Sequence, residues 1–168
     1  MPTSEPPSPA SPAAAPAKTG RAPVLPPVAR VDDQLCFALY GALQAMTRTY
    51  KPLLEPHGLT YPQYLVMLVL WEVGEASVRE IGARLNLDSG TLTPLLKRLE
   101  AAGYVTRRRS STDERVVLVT PTPRGAALQN DLADVMRCIG TASGLPVGDL
   151  VALRERLKIL KRNLDGAT

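Results

Sequence analysis

The sequence holds one histidine, two cysteines and one phenylalanine, and each scarcity removes a class of protein. A single histidine, His57, and cysteines at positions 36 and 138 do not make the spacing of a zinc site. Two thiols so far apart are also too few for a disulfide scaffold. His57 adjoins a Gly turn with no ligating neighbour and reads as a surface loop residue; no metal and no cofactor are expected. No apolar run approaches the roughly 20 residues that span a bilayer, since the stretch Tyr64–Trp71 is far too short. The N-terminus lacks the basic-then-apolar order of a secretory signal, so the expected compartment is the cytoplasm, with no membrane partner. Net charge is only +4 and the pI about 9.3. That leans towards anionic partners, but where the charge sits matters more than its total.

What is present is a core-forming chain behind a Pro/Ala/Ser-rich start. Apolar residues make up 45%, enough for a core without disulfides or metals. Residues 1–30 have little to bury and cannot recover their ordering entropy, so a disordered tail is expected there. From Asp33, Leu35, Leu39, Leu43, Met46 and Tyr50 recur at steps of four and three, one face of a helix, which Pro52 and Pro56 then break. Thr60 with Gln63 forms a capping box for a second helix to about Val73, apolar on nearly all sides and therefore central. Ser77 and Glu80 form another box, opening a short helix that carries Ile81 and Leu85 inward. Asn86 and Leu87 make a tight turn, and Asp88 caps a third helix with Leu92, Leu95, Leu96 and Leu99 as its apolar stripe. Gly103 supplies a left-handed stop.

Two short helices joined by so few residues, behind a supporting helix, read as a helix-turn-helix. Tyr104–Arg109 and Arg115–Thr120 then form a hairpin around a polar turn. A cap at Thr120-Pro121 or Thr122-Pro123 starts a further helix reaching to about Cys138. After Gly144 and Pro146 a last helix carries Leu150, Leu153, Leu157, Leu160 and Leu164 as a seam. The expected fold is mainly α with a small β-hairpin, a winged helix-turn-helix over about 60–122 between dimerisation helices at about 33–52 and 123–165. Neither terminal seam has a mate within the middle of the chain, so a homodimer is expected.

Opposite the leucines, the third helix presents Ser89, Gly90, Thr91, Thr93, Lys97 and Arg98. Small residues at its front allow close entry into the major groove of double-stranded DNA, and Lys97 and Arg98 reach phosphates or guanine edges. The hairpin adds Arg107, Arg108, Arg109 and, near its tip, Arg115, placed for a narrow minor groove. Most charge runs are only solvated faces; here the basic cluster directly follows a helix-turn-helix, which favours DNA binding. Pro94 breaks the local rule, because inside a helix it removes a hydrogen bond and costs about 3 kcal/mol. Either the first turn is distorted or the regular helix begins near Thr93.

From Asp33 to Asp165 the sequence resembles the MarR family. The resemblance is carried by Ser77-Val-Arg-Glu-Ile-Gly82, by Asp88-Ser-Gly-Thr-Leu-Thr-Pro-Leu-Leu-Lys-Arg-Leu-Glu100, and by Asp113-Glu-Arg115 with Val119-Thr120 ahead of Gly125. It implies that Asp113 orients Arg115 for the minor groove. Leu35-Cys-Phe-Ala-Leu-Tyr40, Tyr50 and Leu59-Thr-Tyr-Pro-Gln-Tyr64 further resemble the organic-hydroperoxide-sensing branch, the OhrR-type repressors. That likeness implies that Cys36 is the peroxide sensor, hydrogen-bonded by Tyr50 and Tyr61 of the other subunit, with Tyr40 lining the pocket. Cys138 would be the resolving thiol of the two-cysteine type, acting from the partner.

The chemistry agrees, since a thiolate attacks the O–O bond, hydroxyl donors stabilise it, and the sulfenic acid condenses with a second thiol. The function implied is that of a homodimeric repressor, not an enzyme, that leaves an inverted-repeat operator when organic hydroperoxide oxidises Cys36. The alternative is a MarR-type repressor answering a phenolic or other small ligand, with Cys36 a buried small hydrophobe and Cys138 equally inert. A thiol peroxidase would leave the basic winged-helix face without a use.

Overall fold

The computed structural model describes residues 30–167; the expected tail lies outside the described residues but for its last position. A short 3-10 turn, Val31–Asp33, leads into α1, Leu35–Leu54. Pro52 lies inside that helix rather than ending it. α1 continues two residues further, to Leu54, which is buried in the core, and the chain then leaves through a 3-10 turn, Glu55–His57, with Gly58 left-handed at φ 66°.

α2, Tyr61–Val73, starts on Thr60, whose amide donates to Gln63 Oε1 at 2.9 Å. Its apolar residues point in every direction, and Tyr64, Val66, Met67, Val69 and Leu70 are all buried. It packs on α1, on the helices Val78–Leu85, Ser89–Ala101 and Pro123–Asp131, and on the sheet. The central position expected for it is what the fold has.

β1 is two residues, Ala76–Ser77, followed at once by α3, Val78–Leu85. The short strand was not expected, because two residues are too few to show a period. It pairs antiparallel with β3, Val117–Pro121, which also pairs with β2, Val105–Arg109. The sheet therefore has three strands in the order β1-β3-β2, and the hairpin is anchored to the start of the helix-turn-helix. Ser77 serves both parts: its amide and hydroxyl donate to Glu80 Oε2 at 2.7 Å as the cap of α3. Asn86 turns the chain with φ 54°, a left-handed conformation that asparagine tolerates, and α4 follows over Ser89–Ala101. Gly103 ends it at φ 73°.

Of the two caps considered after the hairpin, Thr122 is the one used: its hydroxyl accepts from Gly125 N at 3.0 Å. The helix expected to reach Cys138 is in fact two, α5 over Pro123–Asp131 and α6 over Val135–Ala142. Between them the bonds tighten to 3-10 spacing, Ala133 N to Asn130 O and Val135 N to Leu132 O. Asn130, Asp131 and Asp134 compete with the backbone at this point, while Leu132 and Val135 are both buried, so the break keeps two apolar residues facing the core. α7, Val147–Asp165, buries none of its side chains within the chain.

Gly125 is where the hairpin root meets α5. A Cβ there would lie 1.9 Å from the Tyr104 carbonyl oxygen, a backbone atom that cannot yield without moving β2. Gly125→Ala is expected to lower unfolding free energy by about 3 kcal/mol or more, read by urea denaturation. Wild-type stability in that variant would mean the contact is not tight.

Candidate DNA interface and thiol site

A cleft of about 710 Å³ lies between the helix-turn-helix and the hairpin. Arg79 of α3, Ser89 and Thr93 of α4, and Asp113 and Arg115 at the hairpin tip all line it. The tip is held by a local bond, Arg115 N donating to Asp113 Oδ1 at 2.9 Å. The aspartate thus shapes the turn from which the arginine projects. Asp88 caps α4, accepting from Thr91 N at 2.8 Å and from its hydroxyl at 2.9 Å, and these bonds, the amide first, hold its carboxyl below the usual range.

The basic residues divide into two groups. Arg107 donates from Nε to Glu100 Oε2 at 2.8 Å, and its amide reaches Oε1 of the same carboxylate at 3.2 Å. Arg108 pairs with Glu75 at 3.0 Å, which also accepts from the Thr120 hydroxyl at 2.8 Å. Arg109 donates to the Glu114 carbonyl at 2.7 Å. All three β2 arginines, expected from the sequence to meet DNA, are thus engaged in bracing the hairpin. The side chains of Lys97, Arg98, Arg115 and Arg79 have no partner among the described residues.

Arg79 was missed by sequence reasoning, though a signal existed. A cation in the first turn of a helix opposes the macrodipole, and such a residue needs another reason to be there. α4 itself is continuous from Ser89 through Pro94, which removes the alternative that the regular helix begins near Thr93.

The thiol residues are distributed differently. Tyr50 and Tyr61 stack with centroids 4.6 Å apart, Tyr64 lies 5.9 Å from Tyr50, and Trp71 continues the series. Tyr64 and Trp71 belong to the core, as expected, Trp71 donating Nε1–H to the Gly125 carbonyl at 2.8 Å. Burial raises the Tyr50 phenol to about 12, with Tyr61 and Tyr64 adding to the effect, and burial also raises Tyr61. Both therefore remain protonated donors at neutral pH.

Cys36 and Tyr40 are exposed near the other end of α1. Cys36 and Tyr50 are about four turns apart on one helix, on the order of 20 Å, so a single chain does not bring the thiol to the phenols. Cys138, half-buried on α6, is likewise a free thiol, and α6 packs against α1.

Comparison with known proteins agrees with this geometry. A family model described as transcriptional regulator SarA/Rot matches residues 48–132. The organic hydroperoxide resistance transcriptional regulator of Bacillus subtilis is 45% identical over 135 residues, which cover 80% of this chain and 92% of that one. The chain belongs to the MarR family of winged-helix transcription regulators, in its organic-hydroperoxide-regulator branch. Another relative of this MarR-type chain is the HTH-type transcriptional regulator TtmR of Methylorubrum extorquens, 49% identical over 134 residues, or 80% of this chain and 69% of that one. Among solved structures, reduced AbfR bound to DNA is 36% identical, covers 80% of this chain and 94% of its own, and superposes with a TM-score of 0.68; AbfR is from Staphylococcus epidermidis. Its disulfide-formed structure, 36% identical over 81% and 90% of the two chains, gives 0.56. No helix among the described residues is long and apolar enough to cross a membrane.

The hairpin braces carry a pH signature. Hydrogen bonds from Arg107 lower the Glu100 carboxyl, and the bond from Thr120, then Arg108, lowers Glu75. A lowered folded value contributes stability that is complete above the ordinary glutamate value of 4.5. That contribution is lost as pH falls below it through the folded value. Thermal midpoints measured from pH 5 down to pH 3 should therefore fall less steeply in Glu100→Gln than in wild type. Parallel curves would remove Glu100 as a titrating brace.

Proposed function

We propose that this regulator is a homodimeric repressor that reads an inverted-repeat operator and releases it when an organic hydroperoxide oxidises Cys36. The observation that carries the reading is the separation of Cys36 from a paired Tyr50 and Tyr61. Two antiparallel copies of α1 would lay each thiol against the phenols of the other chain, and the apolar face of α1, with Leu35, Phe37, Tyr40, Leu43 and Met46, is uncovered in one chain. The seam of α7, with Leu153, Leu157 and Leu164 exposed, would extend the same interface.

In this mechanism the phenol hydroxyls of Tyr50 and Tyr61 donate to the thiolate of Cys36 and hold it ready. Tyr40, one turn from the cysteine, lines the pocket. The thiolate sulfur attacks the peroxide O–O bond, takes the hydroxyl as sulfenic acid, and expels alkoxide, which leaves as the alcohol after taking a proton from water. Cys138 of the second chain, as thiolate, displaces hydroxide from that sulfur to form an intersubunit disulfide. Helices α1 and α6 must shift to allow it, and the spacing of the two reading helices shifts with them. Support comes from the identity with the Bacillus regulator and from the crystallisation of AbfR in both DNA-bound reduced and disulfide forms. The site is that of a switch acting once per oxidation, and its setting is the cytoplasm.

On the DNA side, Ser89, Gly90, Thr91, Thr93, Lys97 and Arg98 enter the major groove, and Arg115, oriented by Asp113, enters the flanking minor groove. Arg107, Arg108 and Arg109 contribute chiefly by holding the hairpin in place.

Two measurements test this. Arg115→Ala should weaken operator binding and reduce the slope of log affinity against log salt by about one, whereas an unchanged slope would take the hairpin tip out of the interface. Cys36→Ser should bind the operator as wild type does and stay bound in cumene hydroperoxide. Release of that variant by peroxide would transfer sensing to another group.

A further inference from the structure

The outward face of α4 contains a backbone acceptor whose usual helical donor is missing. Gly90, Pro94, Lys97 and Ala101 recur at steps of four, three and four, on the side opposite the buried Leu92, Leu96 and Leu99. In an α-helix the carbonyl of each residue accepts from the amide four residues on. Gly90 would accept from residue 94, but Pro94 has no N–H and its ring crowds that carbonyl. Nearby hydroxyls do not take its place. The Thr93 hydroxyl donates to the Ser89 carbonyl at 2.6 Å, and the Thr91 hydroxyl donates to Asp88. Gly90 and Pro94 are exposed, and Gly90 has no side chain to hold a base edge away from its main chain.

We propose that the main-chain carbonyl of Gly90, freed by Pro94, is a specificity-determining acceptor that takes a hydrogen bond from an exocyclic amine of the operator. In the major groove only adenine N6 and cytosine N4 supply such donors. Lys97, the next residue along the same face, would favour the opposite pattern, the acceptors of guanine. The helix thereby reads donors at its front and acceptors about two turns behind. The proposal rests on the placement of α4 in the major groove and adds what that helix reads there. It also accounts for proline inside a helix that would be more stable without it.

The test uses the full-chain, reduced protein and duplexes selected from a randomised pool. Within the operator chosen by wild type, each adenine is replaced in turn by purine and each cytosine by 2-pyrimidinone, which lack the exocyclic amine. Wild type should lose roughly tenfold in affinity at one position of each half-site. Pro94→Ala, which returns an amide to the Gly90 carbonyl, should lose little at that position and should select a pool degenerate there. The same variant should unfold at a higher temperature, because alanine is the better helix residue, so weakened selectivity would not reflect misfolding. Identical amine-deletion profiles for the two proteins would overturn the Gly90 assignment while leaving α4 as the reading helix. A wild-type protein that selects no sequence at all would overturn both together.

Discussion

Every working part of this molecule is positioned by one constraint, the burial of α2 on every side but the one that carries Leu68 and Glu72. Val66, Met67 and Leu70 are wholly enclosed, so α2 cannot rotate or slide without opening a cavity, at a cost of a few kcal/mol per large side chain. α1 lies on one side of it, α3, α4 and the sheet on the other, and α5 beside its last turns. The aromatic series Tyr50, Tyr61, Tyr64 and Trp71 runs along this helix from the phenol pair to the Gly125 carbonyl. The proposed input and output of the switch therefore share a single rigid element.

The hairpin illustrates how charge of one sign is put to two uses. Four arginines occupy β2 and the tip, yet a strand alternates its faces and each neighbour is offered different surroundings. Glu100 of α4 and Glu75 before β1 engage Arg107 and Arg108. They tie the hairpin to α4 and to the residue just before β1. Exposed pairs of this kind add little to global stability. Their effect is on orientation, and Arg115, carrying no such tie among the described residues, is left to project.

A single chain is incomplete in a specific way. Among the described residues α1 and α7 carry uncovered apolar surfaces, and Cys36 sits at the far end of α1 from Tyr50, against which Tyr61 of α2 packs. Both features have the same resolution in the proposed dimer, where covering the apolar faces is also what assembles the sensor. In that proposed dimer, oxidation chemistry and quaternary structure would be coupled by geometry.

Much of this was legible in one dimension, because periodicity and caps are local. The capping boxes at Thr60 and Ser77, the Asp88 cap, the stop at Gly103 and the leucine stripe of α4 all depend on neighbours within one turn. So did the winged-helix class and the face that carries Ser89 to Arg98. Features decided by distant partners were not legible. Two-residue β1 exists only because β3 comes alongside. The break between α5 and α6 exists because Leu132 and Val135 must both face the core. The engagement of Arg107 and Arg108 depends on carboxylates that only the folded chain brings near. Pro94 stands between the two. Its missing amide is a property of the residue and can be read from the chain alone. That the orphaned carbonyl lies on the exposed side of α4 is set by packing, because burying Leu92, Leu96 and Leu99 turns the other side of the helix to solvent.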